Sequence, residues 1–265
     1  MPSNQNKIPR VMTIAGSDSG GGAGIQADIK TINAIGGFAM TAITAVTSQN
    51  TRQVSSIHEI PYKMVIKQIE LVEEDIGFDV VKTGMLVDPK VISFIASNLK
   101  QYPLIVDPVL ISTSGDILIS DEALSTIKNM LIPRAMIVTP NIPEASLLSG
   151  VKIINIDSQI KAGKRILKLG PEYVLVKGGH GESNNIVDAL ISENETKLFE
   201  SKKIKTENTH GTGCTLASAI STYIGMGIPI NQSVKKSINY VQWLLRSSPK
   251  FGKGNGPMHH KPPRE

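Results

Sequence analysis

The chain has 265 residues, of which 40% are hydrophobic and 19% charged, and its formal net charge is +5. This length and its apolar runs predict one domain over residues 1–265, with short extensions at about 1–9 and 251–265. The single cysteine and an N-terminus without an apolar signal core predict a cytoplasmic protein. No apolar run is long enough to span a bilayer, which predicts that the protein does not bind a membrane. The lysines are scattered and not interleaved with aromatic residues, which predicts that it does not bind nucleic acid.

Short β-rich runs alternate with amphipathic segments of helix length. The predicted strands are 11–15, 38–47, 54–60, 79–82, 104–107, 135–138, 173–177, 186–191 and 196–199. The predicted helices are 25–35, 62–74, 89–99, 158–169, 212–225 and 232–245. The last two strands form an antiparallel edge hairpin around Glu193 and Asn194. The alternation predicts an α/β fold, with a mostly parallel central sheet flanked by helices on both faces and a small antiparallel edge.

Polar and conformationally special residues follow several of the predicted strands. In a parallel sheet, the carboxyl ends of the strands lie at one edge, where ligands usually bind. These strand ends carry the segments 16–18, 82–84, 107–108, 139–141 and 177–179. The pattern predicts a ligand site at that edge, because packing alone does not explain it.

The first motif is a glycine-rich loop within residues 15–28, between a strand and a helix. Such a loop lets the backbone approach a ligand closely, and the helix N-terminus offers N–H donors to an anion. The glycine spacing fits neither the dinucleotide fingerprint nor a P-loop. A plain tight turn would account for two of the glycines but not for the whole run.

The second motif is Asn141 followed by Pro143 and Glu144. These residue types are common at the start of a helix, so a purely structural role is the alternative. An Asn and a Glu one helical turn apart are also able to hold a hydrated Mg²⁺ beside nucleotide phosphates. Asp107, at the end of an apolar strand, offers a further carboxylate, with a turn cap as the alternative.

Two further motifs carry a lysine and the only cysteine. Lys177 opens the segment 177–181 at the end of an apolar strand, where it is able to reach phosphates or simply to extend into solvent. Cys214 lies in residues 209–215, a turn that opens an apolar helix. A helix start gathers unpaired N–H groups and favours a thiolate, so this turn suits anion binding and proton transfer. The alternative for a lone cysteine is a buried filler.

Seven motifs, taken in order, resemble hydroxymethylpyrimidine/phosphomethylpyrimidine kinases of thiamine biosynthesis, which belong to the ribokinase-like superfamily. The segments that carry the resemblance are 15–28, 45–51, 82–86, 107–109, 139–144, 176–180 and 210–215. Together with 254–257 they extend the resemblance from about residue 11 to 257. It implies a homodimeric kinase that uses ATP and Mg²⁺. The implied substrates are 4-amino-5-hydroxymethyl-2-methylpyrimidine and then its monophosphate.

The resemblance also implies residue roles. The substrate residues would be Gln49, which pairs with the aminopyrimidine edge, and Ala23, Met85, Asp28 and Val109. The catalytic turn and anion hole would be Gly211, Thr212, Gly213 and Cys214. The nucleotide residues would be Lys177, Asn141, Thr206 and His210. The metal residues would be Glu144, Asn141 and, through water, Asp107. Cys214 occupies the position where sugar-kinase relatives carry the catalytic Asp.

Three other functions compete with this interpretation. Pyridoxal kinases with the same Gly-Thr-Gly-Cys turn are the nearest alternative, and Gln49 argues against them because its amide matches an aminopyrimidine edge. A non-catalytic pyrimidine or nucleotide sensor would bind ligand without releasing ADP. A nicotinamide-dependent dehydrogenase is disfavoured by the missing fingerprint.

Overall fold

The computed structural model describes residues 8–111, 119–178 and 185–263. The chain divides into two compact units, one formed by Met1–Lys82 with Thr206–Glu265 and the other by Thr83–Lys205. In chain order, the elements are β1 (Arg10–Asp18), α1 (Gly24–Ile35), β2 (Phe38–Gln49), β3 (Val54–Glu59), α2 (Tyr62–Asp75), β4 (Val80–Thr83), α3 (Pro89–Asn98), β5 (Leu104–Val106), α4 (Asp121–Thr126), β6 (Ile137–Val138), α5 (Ile142–Ser149), α6 (Ile156–Leu167), β7 (Tyr173–Val176), β8 (Asn185–Ile191), β9 (Thr196–Lys202), α7 (Thr212–Gly225) and α8 (Ile230–Ser247).

The first unit contains strands in the order β3-β2-β1-β4. β1 pairs with β2 in parallel, whereas β2 and β3 are antiparallel. Val11, Met12 and Ile14 of β1 are fully buried, as expected for a strand that is covered on both faces. α1 packs on β1 and on α7, and α7 packs on α8. The sheet and these helices thus hold the loop between β1 and α1 near the start of α7.

The second unit contains strands in the order β5-β6-β7-β8-β9. β5, β6 and β7 are parallel, and β8 and β9 form the antiparallel hairpin predicted from the sequence. The prediction of an α/β fold with a mostly parallel sheet and a small antiparallel edge is confirmed. In the described part of the chain, no helix is both long and apolar enough to cross a bilayer.

A helical segment in the second unit was not predicted. α4 begins after Ser120, whose Oγ accepts a hydrogen bond from the N–H of Ala123 at 3.1 Å. It continues as a π-helical turn over Ile127–Leu131 and a 3₁₀ turn over Ile132–Arg134. Because the helical period changes twice within this short segment, its apolar residues do not repeat at the spacing of a regular α-helix.

Candidate active site

Asp18 organises the glycine-rich loop between β1 and α1. Its side chain is 3% exposed. One carboxylate oxygen accepts the N–H of Gly20 at 2.8 Å, and the other accepts those of Gly22 at 2.9 Å and Ala23 at 2.8 Å. Three of the loop's backbone donors are therefore committed to this carboxylate. The sequence analysis placed Asp18 in the strand-end segment 16–18 but gave it no role of its own, although an aspartate before a glycine run is a recognisable turn signal.

The carboxylate of Asp18 also contacts His210, at 2.9 Å between Oδ2 and Nε2. Burial alone would raise the pKa of Asp18, but the hydrogen bonds from His210 and from the N–H groups of Ala23 and Gly20 outweigh it and lower the pKa below 3.8. The group is therefore an anion at neutral pH. It joins the glycine-rich loop to the turn that precedes α7.

The turn at Gly211 brings the start of α7 against the glycine-rich loop. Gly211 has a φ of 79°, and a Cβ atom at this position would overlap the carbonyl oxygen of Gly22. Its own carbonyl accepts the N–H of Thr215 at 2.9 Å, which starts the helix. Thr212, Gly213 and Cys214 form the first turn of α7, and the N–H of Thr212 donates to the carbonyl of Thr209 at 3.4 Å. The N–H groups of a first helical turn have no acceptor within their own helix, so such a turn suits anion binding. Cys214 is half-buried and forms no disulfide.

The C-terminal segment, predicted as an extension, packs against this turn. The N–H of His210 donates to the carbonyl of Gly256 at 3.1 Å. The side chain of Met258 is 3% exposed. His260 lies 2.8 Å from Thr215 between Nε2 and Oγ1, and burial, with Lys30 and His259 nearby, lowers its pKa to about 4. At neutral pH, an uncharged imidazole therefore contacts the first residue after the Gly-Thr-Gly-Cys turn.

Two of the predicted substrate residues, Gln49 and Ala23, are partly exposed in the same unit. The amide nitrogen of Gln49 lies 3.2 Å from His210 Nε2, and its amide oxygen lies 3.2 Å from Thr47 Oγ1. The structure thus joins Gln49, Ala23 and the Gly211 turn through the contacts of Asp18 and His210. Thr206 accepts the N–H of Asn208 at 3.1 Å through its Oγ1.

Asp28 is fully buried, and its carboxylate accepts hydrogen bonds from three side chains of the described residues. Lys82, also 0% exposed, lies 2.9 Å from both carboxylate oxygens. The hydroxyl groups of Thr13 and Ser218 donate to it at 2.5 and 2.7 Å. We therefore revise the predicted substrate contact of Asp28 to a buried ion pair that supports α1 and α7 from the interior.

The second unit groups Asp107, Lys177 and Thr139 at the ends of its parallel strands. Asp107 is 2% exposed. Its Oδ1 atom lies 3.0 Å from Lys177 Nζ and accepts the Thr139 hydroxyl at 3.2 Å. Met85 and Val109 are half-buried in this unit. The rest of the predicted lysine motif, from residue 179 onward, lies outside the described residues.

Asn141 and Glu144 form a capping box at the start of α5. Asn141 Oδ1 accepts the N–H of Glu144 at 2.9 Å, and Glu144 Oε2 accepts the N–H of Asn141 at 2.8 Å. Burial raises the pKa of Glu144 to about 7, with Asp107 acting in the same direction and Lys177 against it. Asn141 and Glu144 therefore cap the N-terminus of α5, as their sequence pattern indicates. It also places Glu144 in the electrostatic field of the Asp107 and Lys177 pair.

Asp188 is a residue of the second unit that the sequence analysis did not single out. It is 7% exposed, and its Oδ1 accepts the N–H of Gly178, directly after Lys177, at 2.7 Å. Burial raises its pKa from 3.8 to about 6, against the lowering effects of the Gly178 N–H and of Lys177. Asp188 thereby fixes the backbone next to the lysine.

Replacing Asp188 by asparagine should stabilise the protein at alkaline pH. The raised pKa means that the folded state binds more protons than the unfolded state between pH 3.8 and about 6, so ionisation costs stability as the pH rises through this window. Asparagine keeps a carbonyl oxygen for Gly178 without a charge. We expect Asp188→Asn to be more stable by about 2 kcal/mol at pH 8, with no advantage at pH 4, in urea unfolding. A less stable variant at pH 8 would contradict this account of burial.

Comparison with known proteins places this geometry in a family. A family model described as phosphomethylpyrimidine kinase matches residues 18–259. The thiamine biosynthesis bifunctional protein ThiED of Geobacter sulfurreducens is 45% identical over 253 residues, which are 94% of this chain and 52% of that protein. The hydroxymethylpyrimidine/phosphomethylpyrimidine kinase of Bacillus subtilis is 42% identical over 257 residues, which are 96% of this chain and 95% of that protein. The chain thus spans about half of the first relative and nearly all of the second.

Solved structures of two kinds of kinase also resemble this chain. The phosphomethylpyrimidine kinase of Clostridium difficile 630 has a TM-score of 0.78 and 45% identity, covering 89% of this chain and 99% of that one. An ADP complex of Bacillus subtilis pyridoxal kinase has a TM-score of 0.89 and 32% identity, covering 96% and 98%. The family that the sequence motifs predicted is confirmed, and the chain belongs to the phosphomethylpyrimidine kinase family.

Proposed function

We propose that this protein is an ATP-dependent kinase that phosphorylates 4-amino-5-hydroxymethyl-2-methylpyrimidine and then its monophosphate, in thiamine biosynthesis. The name of the Bacillus subtilis relative, which matches along almost its whole length, supports both steps. The observation that carries the proposal is the Gly211 turn, which opens α7 with backbone donors and Cys214 in its first turn. Phosphoryl transfer needs such positioning and charge stabilisation more than covalent chemistry.

In the first unit, we assign the acceptor and the transferring phosphoryl group to the residues around this turn. Gln49 recognises the pyrimidine edge beside Ala23, and the N–H groups of the first turn of α7 stabilise charge that develops on the phosphoryl oxygens. Cys214 accepts the proton of the substrate alcohol late in the transfer. The predicted nucleotide roles of Thr206 and His210 remain predictions, and the contacts of His210 with Asp18 and Gln49 place its ring beside the residue that we assign to the pyrimidine.

In the second unit, we assign the nucleotide phosphates and a magnesium ion to the cluster around Asp107. Within the described residues, no group of three or more His, Cys, Asp and Glu side chains is arranged to hold a metal without other ligands. Among the described residues, the buried carboxyl groups of Asp107 and Glu144 lie near Lys177, and a bound cation would favour the ionised form of Glu144. Mg²⁺ keeps several waters and needs few protein oxygens, so these residues with Asn141 suffice beside phosphates. When bound, it would neutralise phosphate charge.

We also propose that the protein acts as a homodimer. Every residue of β3 is exposed, and its apolar Val54 and Ile57 are 41% and 40% exposed. On the adjacent β2, Val46 is 45% exposed. Exposed apolar side chains on an edge hairpin favour burial against a second copy of the chain.

A coupled ADP-release assay tests the proposed function. We expect ADP release with ATP, Mg²⁺ and either hydroxymethylpyrimidine or its monophosphate, with pyridoxal used at least about tenfold less efficiently because it lacks the edge that Gln49 matches. Pyridoxal is the informative comparison, since the pyridoxal kinase structure matches the fold at a TM-score of 0.89. Tight binding of the pyrimidine without ADP release would indicate a sensor, and faster use of pyridoxal would favour the pyridoxal kinase alternative.

A further inference from the structure

His210 connects Asp18 to the residue that we assign to substrate recognition. Its Nε2 atom lies 2.9 Å from Asp18 Oδ2 and 3.2 Å from the amide nitrogen, Nε2, of Gln49. The amide oxygen, Oε1, of Gln49 lies 3.2 Å from Thr47 Oγ1, and that hydroxyl donates to the carbonyl of Ser17 at the shorter distance of 2.9 Å. Asp18, His210, Gln49, Thr47 and Ser17 therefore form a continuous hydrogen-bonded network within the first unit.

The contact with Asp18 determines which ring nitrogen of His210 carries a hydrogen. The pKa of Asp18 is lowered, so its carboxylate is ionised and only accepts hydrogen bonds. The shorter contact of His210 is with this carboxylate. Nε2 must therefore carry a hydrogen and act as a donor on this side of the ring.

The orientation of the Gln49 amide follows from its two neighbours. The single hydrogen of His210 Nε2 points at Asp18, so this nitrogen has no lone pair for the Gln49 amide nitrogen that lies beside it. Turning the amide by 180° about its last bond removes this repulsion, because Oε1 then lies beside His210 and shares the hydrogen with Asp18. Thr47 already gives its hydrogen to Ser17, so it remains an acceptor and suits the amide nitrogen. Both neighbours independently favour the same orientation, with Oε1 toward His210 and Nε2 toward Thr47.

We propose that His210, held by Asp18, is a positioning residue that orients the amide of Gln49 and thereby selects an acceptor with an amino group beside a ring nitrogen. Oε1 keeps one lone pair for the substrate amino group, and Nε2 keeps one hydrogen for the ring nitrogen. The reverse orientation would place the amide nitrogen of Gln49 against the substrate amino group, donor against donor, and its oxygen against the ring nitrogen, acceptor against acceptor. This inference rests on the proposed function only in assigning the pyrimidine to Gln49.

The test compares binding of two pyrimidines, hydroxymethylpyrimidine and its analogue without the 4-amino group, by titration calorimetry in the absence of ATP. The wild-type protein should bind the amino compound about tenfold more tightly. His210→Phe keeps a ring but removes the donor, and we expect it to reduce this preference to about twofold by weakening only the amino compound. His210→Gln, which returns an N–H group near the Nε2 position, should restore most of the preference.

Two further variants keep the outcome interpretable. His259→Phe makes the same replacement at an exposed histidine and should leave the preference unchanged. Thr47→Val removes the acceptor at the other end of the amide and should also narrow the preference, so the test does not depend on the folding of one variant. Equal weakening of both ligands in His210→Phe, or an unchanged preference in it and in Thr47→Val, would overturn the inference. Failure of the wild-type protein to release ADP would contradict the proposed function alone, because binding is measured without turnover.

Discussion

Replacing Cys214 by alanine should slow phosphorylation of the hydroxymethylpyrimidine alcohol far more than phosphorylation of its monophosphate. The alcohol must lose a proton during transfer, and a general base contributes about 100-fold or more to such a step. The monophosphate is already an anion and needs no base. We therefore expect Cys214→Ala to lower kcat for the alcohol by about 100-fold and kcat for the monophosphate only a few-fold.

Separate initial-rate assays on the two acceptors, each saturated with ATP and Mg²⁺, measure this difference. Cys214→Ser is the matched variant, because a serine hydroxyl keeps a small polar group but is a much poorer base at neutral pH. Serine should behave like alanine with the alcohol if proton transfer is the role of Cys214. Equal losses for both acceptors would show that the thiol positions the turn or the substrate instead.

Much of the fold was predictable because the apolar residues repeat at the periods of strands and helices. The bounds of α7 were predicted without error, since an apolar run follows a glycine-rich helix start. β1 was predicted to end at residue 15 but extends to Asp18, because Ser17 and Asp18 pair with Val46 and Thr47 of β2 after a bulge. Such pairing is a tertiary contact, and the polar residues at the strand end give no local signal of it.

The sequence predicted many of the residues of the candidate site, but few of the contacts that these residues make with one another. Asn141 and Glu144 were identified as helix-start residues, and their capping box depends only on neighbours in the sequence. Asp18 and His210 are separated by 192 positions, so neither sequence segment indicates that they form a hydrogen bond. The contact of His260 with Thr215 was missed for the same reason. Asp28 was predicted to contact the substrate because it follows the glycine-rich loop in the sequence. That proximity does not show which way a helical side chain points, and the Asp28 side chain is buried in the interior.

Replacing Gly211 by alanine should both destabilise the protein and abolish most of its activity. At a φ of 79°, an alanine is strained by about 1 kcal/mol or more. Its Cβ would also overlap the carbonyl oxygen of Gly22, a backbone atom that cannot rotate away as a side chain can. Together these effects should lower the free energy of unfolding by about 4 kcal/mol. Separation of the turn from the glycine-rich loop should reduce kcat for both acceptors by about 100-fold.

Gly227, beyond the other end of α7, provides a control that separates strain from collision. It has a φ of 78°, yet a Cβ atom there would meet nothing within 4 Å. Gly227→Ala should therefore cost only about 1 kcal/mol and leave kcat within about twofold of wild type. Urea unfolding followed by the fluorescence of Trp243, the only tryptophan, measures both variants. If Gly211→Ala were as stable and as active as Gly227→Ala, the result would contradict the idea that close packing of the turn on Gly22 positions the phosphoryl-binding end of α7. A larger loss at Gly211 that spares activity would instead separate the stability of this contact from catalysis.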